Sequence, residues 1–443
     1  MRAHEETSAV CVIGLGYVGL TLAVTLAAQG RRVIGVERNQ AVRKQLARKE
    51  PHVREAGLDL AGAIDGGLFT VTDTVPPGRD VEVYIVCVGT PVDDDGTPDL
   101  RQVEGATRSV ADMAVDGNLV ILRSTVPVGT SRRLLAELRT HADVELAVCP
   151  ERTVQGIAVQ ELLSLPQIVS ASSPRAVERA AALFRVLTPS IVEVSDLETA
   201  ELVKLACNAY RYSLFAFANE LARLCQSVGV SAREVRDAAA TGYERAAMPF
   251  AGPVGGSCLP KDTAILSQAF LDHGAPASEL LSGVRTAHRR TPEQVADELT
   301  EHVRCTAGFG PLAVALLGVA FKGHPETDDE RSSPAVEIVA HLRARHADLT
   351  VRSHDPSVPE HRQRVLGYEP YAEAKEAVEG ANLVIIGTNH RVYTQLSLHW
   401  LTERMASPGL VYDAWALHSR AAAELRGRVR YLAFGEGQLV RPA

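Results

Sequence analysis

Gly255-Gly256-Ser257-Cys258-Leu259-Pro260-Lys261-Asp262 gathers, in one short run, the residue types of nucleophilic catalysis. A cysteine attacks as its thiolate, a form that a neighbouring cation or a helix N-terminus favours. Lys261 supplies the cation, and Asp262 can take or give a proton. The paired glycines carry no Cβ, so the backbone can pass close to something bulky, and Pro260 is expected to fix the turn. Taken alone, the run reads equally well as a Gly-Pro turn around a buried cysteine.

The N-terminal stretch decides between the two. Ala9 to Ile13 reads as a buried parallel strand that runs straight into Gly14-Leu15-Gly16-Tyr17-Val18-Gly19. A helix is expected from Leu20 to Gln29 and a second strand from Arg32 to Val36, with Glu37 at its end. A GxGxxG placed between a strand and a helix, with an acid closing the next strand, is the signature of dinucleotide binding. The pyrophosphate then meets a helix N-terminus, whose unpaired amides and dipole favour anions. Glu37 would accept from the ribose hydroxyls and repel a 2′-phosphate, which favours NAD over NADP. Arg38 joins it in the expected cofactor set and tempers that preference. Ala9 to Ala28 is also apolar enough to suggest a membrane span. Its regularly placed glycines, the lack of a basic leader and its end at Gln29-Gly30 fit a strand, a turn and a helix better.

These residues need a scaffold, and the chain alternates strand and helix patterns as a doubly wound sheet would. Val81 to Val88 leads into Thr90, and Leu119 to Leu122 leads into Arg123-Ser124-Thr125-Val126-Pro127. Glu145 to Cys149 leads into Pro150-Glu151-Arg152. Ligands collect at the carboxyl ends of such strands, so Thr90, Ser124, Thr125 and Glu151 are expected to face one crevice. The stretch from Asp196 to Gln226, free of glycine and proline, reads as a long central helix. Lys204 and Asn208 share one of its faces, either as a polar pocket or as a snorkelling lysine beside a solvated amide. Helical sequence then runs from Asp262 to about Cys305, with interruptions expected at Pro276 and Pro292, and composition breaks at Gly308 to Pro311. Further strands are expected at Leu312 to Val319, Leu349 to Ser353, Ala381 to Gly387 and Leu410 to Tyr412. The expected fold is therefore α/β: two Rossmann-like doubly wound domains, 1–195 and 306–443, joined by a central helical region, 196–305, built on the long helix.

Composition narrows the class. The 443 residues are 46% hydrophobic and 23% charged, as in an ordinary globular protein, and the net charge of −8 offers no basic face to nucleic acid. Seven cysteines lie far apart with no CxxC pair, which points to a reducing, cytoplasmic setting. The fourteen histidines show no metal-ligand spacing, so no metal is expected.

In order along the chain, the GxGxxG start, Ser124-Thr125-Val126-Pro127, Pro150-Glu151-Arg152, Lys204 with Asn208, Gly255 to Asp262 and Ala320-Phe321-Lys322 resemble the nucleotide-sugar 6-dehydrogenases. That family includes the UDP-glucose, GDP-mannose and UDP-N-acetylhexosamine enzymes. The resemblance implies an NAD-dependent, four-electron oxidation of a sugar C6 alcohol to a uronate, by a homodimer built on the long helix. It implies a catalytic set of Cys258, Lys204, Asn208, Asp262, Glu151 and Thr125, with Cys258 forming a thiohemiacetal and then a thioester. It implies cofactor contacts at Gly14, Gly16, Tyr17, Val18, Gly19, Glu37, Arg38, Thr90, Ser124 and Thr125. Substrate contacts are implied at Glu151, Arg152, Lys204, Asn208, Arg245, Gly255, Gly256 and Lys322. The branches are mixed. Gln155 stands where UDP-glucose enzymes carry a second glutamate, and Pro150-Glu151-Arg152 looks like the N-acetylhexosamine branch. Lys261-Asp262 looks like the glucose and mannose branches, and Asp413-Ala414-Trp415 lacks the arginine that often contacts the sugar. UDP-glucose stands slightly ahead of UDP-N-acetylmannosamine or UDP-N-acetylglucosamine as the expected substrate. The reading from another class is a catalytically silent protein that binds NAD or a sugar nucleotide without turnover.

Overall fold

The computed structural model describes residues 9–93, 95–307, 311–422 and 429–436. They group into two compact units, Met1–Asn208 with Lys261–Ala277, and Ala209–Pro260 with Ser278–Ala443.

The first unit is built on an eight-stranded sheet: β1 (Ala9–Ile13), β2 (Val33–Val36), β3 (Phe69–Thr72), β4 (Val81–Val86), β5 (Leu119–Leu122), β6 (Glu145–Val148), β7 (Gln167–Ala171) and β8 (Ile191–Glu193). Its order is β3-β2-β1-β4-β5-β6-β7-β8, with every neighbour parallel except β6 and β7. Strands β1, β4 and β5 are almost wholly apolar and buried, because helices cover both faces of a parallel sheet and leave neither for water. One apolar core lies on each face. The chain reverses its winding between β1 and β4, and that switch point opens the crevice in which ligands of such sheets sit.

The second unit repeats the plan with β9 (Ala313–Leu317), β10 (Thr350–His354), β11 (Glu369–Pro370), β12 (Leu383–Ile386), β13 (Gly409–Asp413) and β14 (Val429–Ala433). Their order, β11-β10-β9-β12-β13-β14, is the same winding started afresh, all parallel. The α/β class, the two Rossmann-like sheets and the long helix, Leu197–Val228, are as expected from the sequence.

Three local expectations need correction. The helix after the glycine pair begins at Cys258, not at Asp262, and runs to Asp272. Pro260 is therefore not a turn residue but sits in the first helical turn, where a missing N–H costs nothing. Pro292 does not interrupt the next helix, which runs unbroken from Glu279 to Ala307. Leu281, Val284, Val295, Ala296, Leu299 and Val303 of that helix are all buried. Burial of such side chains stabilises by about 1.5–3 kcal/mol each for the larger ones, against a proline penalty of roughly 3 kcal/mol. Strands β3, β8, β11 and β14, short or only partly buried, leave no pattern in the sequence, and neither does β7, although four of its five residues are buried. The composition break at Gly308 to Pro311 lies, apart from Pro311, outside the described residues. No described helix is long and apolar enough to cross a membrane.

Candidate active site

The dinucleotide motif adopts the geometry its chemistry asks for. Gly14 turns the chain at φ +88°, and a Cβ there would stand 2.9 Å from Val88 and 3.0 Å from the carbonyl of Cys87. A Cβ on Gly19 would fall 1.8 Å from the carbonyl of Gly14, so this glycine is what lets the helix pack on the turn. The helix Tyr17–Ala28 opens without a capping side chain and with no acid in its first turn, which leaves its N-terminal amides to an anion. Tyr17 is half-buried and Val18 exposed at this mouth. Glu37 closes β2 and is fixed there: one carboxylate oxygen accepts from the amide of Asn39 at 2.7 Å, the other from Leu15 at 3.2 Å. Arg38 points away toward Ser109 Oγ at 3.4 Å. These features fit a dinucleotide whose pyrophosphate meets the helix and whose ribose meets Glu37.

The carboxyl ends of β4, β5 and β6 gather the polar residues expected there. Ser124 Oγ donates to the carbonyl of Val88 at 2.7 Å, tying the ends of β4 and β5 together. Thr90, expected as a cofactor contact, donates its hydroxyl to the carbonyl of Thr125 at 2.6 Å. Lys261 Nζ lies 3.3 Å from Thr90 Oγ1 and 2.6 Å from Asp262. The other oxygen of Asp262 accepts from Asn208 Nδ2 at 2.6 Å, and Asp262 is fully buried. Thr90, Thr125, Lys261, Asp262 and Asn208 thus form one connected polar network, in which the buried carboxylate has the hydrogen bond from Asn208 and the ion pair with Lys261. In sequence Lys261 stands beside the thiol, and nothing local signals its link to Thr90 beyond β4.

Glu151 follows β6, is buried, and pairs with Arg123 at the end of β5. Burial pushes its carboxyl up, but the charge of Arg123, the amide of Thr153, the Arg123 hydrogen bond and the charge of Lys204 together hold it below the usual range. Lys204 is half-buried. Arg152 donates its own amide to Glu151 at 2.6 Å and its guanidinium to the carbonyl of Pro166, so the side chain is tied to the loop. Gln155 lies in the same loop. The amides of Gly156 and Ala158 donate to Glu55 at 2.9 and 2.6 Å, and that of Val154 to Glu161 at 2.6 Å. The sequence signal for Arg123 is a charged residue that closes the apolar strand Leu119–Leu122.

Cys258 is exposed at the first position of its helix, and Lys261 and Asp262 follow one turn later on the same face. Ahead of it, Gly256 takes φ +87° with the Phe321 ring 3.0 Å from where a Cβ would stand, and its amide donates to Ser332 at 3.2 Å. A Cβ on Gly255 would meet Pro334 at 2.5 Å and Ser332 at 2.7 Å. Asn219 of the long helix accepts from Gly252 at 2.9 Å and steadies the same loop. Lys322 lies just beyond the carboxyl end of β9, at the switch point of the second sheet, 5.5 Å from the Phe321 ring centroid. Arg245 is exposed and stacks on Tyr243, 4.8 Å from its centroid, so within one chain it meets none of the other named residues by a described contact. At the departure noted after β13, Asp413 is buried and accepts from Trp415, His418 and Tyr431. Trp415 spends its ring N–H on the carbonyl of Gly387 at 3.0 Å.

Three regions match the UDP-glucose/GDP-mannose dehydrogenase family: its NAD binding domain over residues 8–188, its central domain over 198–289 and its UDP binding domain over 315–420. The chain is similar to a UDP-N-acetyl-D-mannosamine dehydrogenase of Pyrococcus horikoshii, 34% identical over 403 residues covering 88% of this chain and 91% of the relative. Among solved structures it resembles the UDP-D-ManNAc dehydrogenase from Pyrococcus horikoshii, with a TM-score of 0.85, 30% identity and coverage of 97% and 100% of the two chains. It resembles equally a UDP-glucose dehydrogenase from Pyrobaculum islandicum, with a TM-score of 0.85, 27% identity and coverage of 99% and 100%. A Rossmann sheet with this glycine turn fits a dinucleotide-binding domain. The chain belongs to the UDP-glucose/GDP-mannose dehydrogenase family, and it is a nucleotide-sugar dehydrogenase that uses NAD.

The placement of Glu37 carries a direct expectation. Wild-type enzyme should show a kcat/KM with NAD⁺ at least about tenfold above that with NADP⁺, since a 2′-phosphate would abut a fixed carboxylate. Glu37→Ser should narrow that ratio by weakening NAD⁺ and relieving NADP⁺. Equal use of both cofactors by the wild type would take Glu37 out of this role.

Proposed function

We propose that the chain oxidises the C6 primary alcohol of a UDP-sugar to the carboxylate in two successive two-electron steps through a covalent bond to Cys258. The observation that carries this reading is the exposed thiol at the head of the helix whose next turn bears Lys261 and Asp262. Bound NAD⁺ is the hydride acceptor for each oxidation. Lys204 and Asn208 would stabilise the oxygen that gains negative charge as the alcohol loses its proton. The thiolate of Cys258 would then add to the aldehyde carbon, giving a thiohemiacetal that can lose a second hydride. Loss of that hydride leaves a thioester, and water, oriented with the help of Glu151, Thr125 and the Asp262 network, would release the acid and return the thiol. Gly255, Gly256 and Lys322 would wrap the sugar nucleotide.

For the hexose, a UDP-N-acetylhexosamine is the favoured reading over UDP-glucose. The curated relative at 34% identity is named for UDP-N-acetyl-D-mannosamine, Pro150-Glu151-Arg152 looks like that branch, and Gln155 departs from the UDP-glucose enzymes. UDP-glucose stays as the second reading because of the Lys261-Asp262 pair. The long helix also carries Tyr210, Phe217 and Leu224 at seven-residue spacing, 67%, 59% and 59% exposed, a stripe suited to a second copy of the chain.

NADH release should be measured against UDP-N-acetylmannosamine, UDP-N-acetylglucosamine, UDP-glucose, GDP-mannose and dTDP-glucose, on protein whose mass in solution is determined by sedimentation. One UDP-N-acetylhexosamine should lead in kcat/KM, with two NADH per uronate and a species of twice the chain mass. Binding without any turnover would favour the catalytically silent class. A lead for UDP-glucose would reverse the order of the two hexoses, and a monomer would remove the stripe's assignment.

A further inference from the structure

Every described polar contact to the Glu151 carboxylate comes from a donor. Arg123 Nη2 donates to one oxygen, and the amides of Arg152 and Thr153 donate to the other at 2.6 and 2.7 Å. A protonated carboxyl would need an acceptor for its own O–H, and the contacts described for Glu151 include none, so the site is shaped for the anion. Arg123 is held just as firmly. Its side chain is 1% exposed, its Nη1 donates to the carbonyl of Cys149 and to Gln167 Oε1, both at 3.0 Å, and its guanidinium lies 5.1 Å from the Phe184 ring centroid. Gln167 is itself anchored on the carbonyl of Ile168 at 2.8 Å. The guanidinium is thus clamped at the end of β5 by two strands and one ring.

We propose that Arg123 is a positioning residue that fixes Glu151 as a carboxylate, so that Glu151 serves the reaction as a proton or hydrogen-bond acceptor and never as an acid. The inference rests on the role given to Glu151 in the proposed function. It narrows that role, because a carboxylate clamped in this way can orient or activate water but has no proton to give. The groups around it support the assignment. Lys204 from the long helix adds a second positive charge, and Cys87 at the end of β4 is a neutral thiol, pushed up to about 12 chiefly by burial. Glu161, from the helix Ala158–Ser164, lines a small cavity together with Arg123 and Glu151 and is engaged by the amide of Val154. With Arg123 gone, the buried carboxylate would keep only Lys204 as a countercharge, and protonation would set in at higher pH.

The test is the pH profile of kcat/KM for the full-length enzyme with UDP-N-acetylmannosamine and UDP-glucose as probes, for wild type, Arg123→Met, Arg123→Lys and Glu151→Gln. Removing the cation raises the pH at which Glu151 loses its charge, so activity that needs the anion is lost on the acid side and recovered on the alkaline side. Arg123→Met should shift the acid limb upward by about one pH unit or more, a loss of roughly tenfold on the acid side of the limb that fades within about two units above it. Arg123→Lys should keep the limb near its wild-type place, and Glu151→Gln should abolish it. A uniform drop at every pH in folded Arg123→Met, with the limb unmoved, would overturn the proposal. Should Arg123→Met fail to fold, Arg123→Lys decides: a profile like that of Glu151→Gln overturns the proposal, and a retained limb supports it. A wild-type rate and profile in Glu151→Gln would instead remove the reading on which the inference rests.

Discussion

Cys258→Ser is expected to reduce steady-state uronate formation to a negligible level while leaving a folded protein that still binds NAD⁺ and the sugar nucleotide. Only the second oxidation and the hydrolysis need a covalent sulfur; the first hydride transfer does not. Serine keeps the size of the side chain at the head of the helix but offers a hydroxyl that is scarcely ionised near neutral pH. Acyl-enzyme formation or its release should therefore fail, leaving slow partial turnover or a trapped ester. Intact-protein mass spectrometry after incubation with substrate and NAD⁺, beside product analysis, reads both outcomes. Because Cys258 is exposed, loss of its thiol leaves no cavity, and the thermal midpoint should barely move. Uronate production near the wild-type rate by folded Cys258→Ser would sink the covalent mechanism.

Lys204→Ala should lower kcat by about a hundred- to a thousandfold, the effect of deleting one donor to a developing oxyanion, with a far smaller change in KM. The lysine is half-buried on the long helix, and its charge contributes to holding Glu151 ionised. Its removal should then also move the acid limb of the pH profile upward, in the direction expected of Arg123→Met. Single-turnover kinetics separate the two effects: the first hydride transfer slows at every pH if Lys204 serves the reacting oxygen. A variant that binds weakly but turns over normally at saturation would recast Lys204 as a binding residue.

The expectations that held were those with a local cause. The glycine turn, the uncapped helix behind it and the acid closing the next strand lie within a short stretch, and each follows from backbone geometry that the residue types impose. The expectations that failed were of another kind. Pro292 reads as a helix breaker in sequence, yet its helix packs a row of apolar residues into the second unit's core, and that burial outweighs one lost hydrogen bond. Pro260 reads as a turn residue, yet the helix simply starts two residues before it. Short strands such as β11 and β8 carry too few residues to show a period and exist because a neighbouring strand offers its edge.

The sequence by itself determined the chemistry on offer: a dinucleotide turn, a thiol beside Lys261 and Asp262, and a lysine and an asparagine one helical turn apart. Only the tertiary structure decided which of these groups touch. Asn208 and Asp262 are 54 residues apart, Thr90 and Lys261 are 171 apart, and Arg123 and Glu151 are 28 apart. Arg123 meets Glu151 because the order of strands places the ends of β5 and β6 side by side, while the other two pairs depend on where the helices Leu197–Val228 and Cys258–Asp272 pack. Residue type and spacing set local backbone geometry within a few residues. The pairing of distant strands is instead settled by how the whole set of apolar faces can be buried at once, and no single stretch of the chain carries that information.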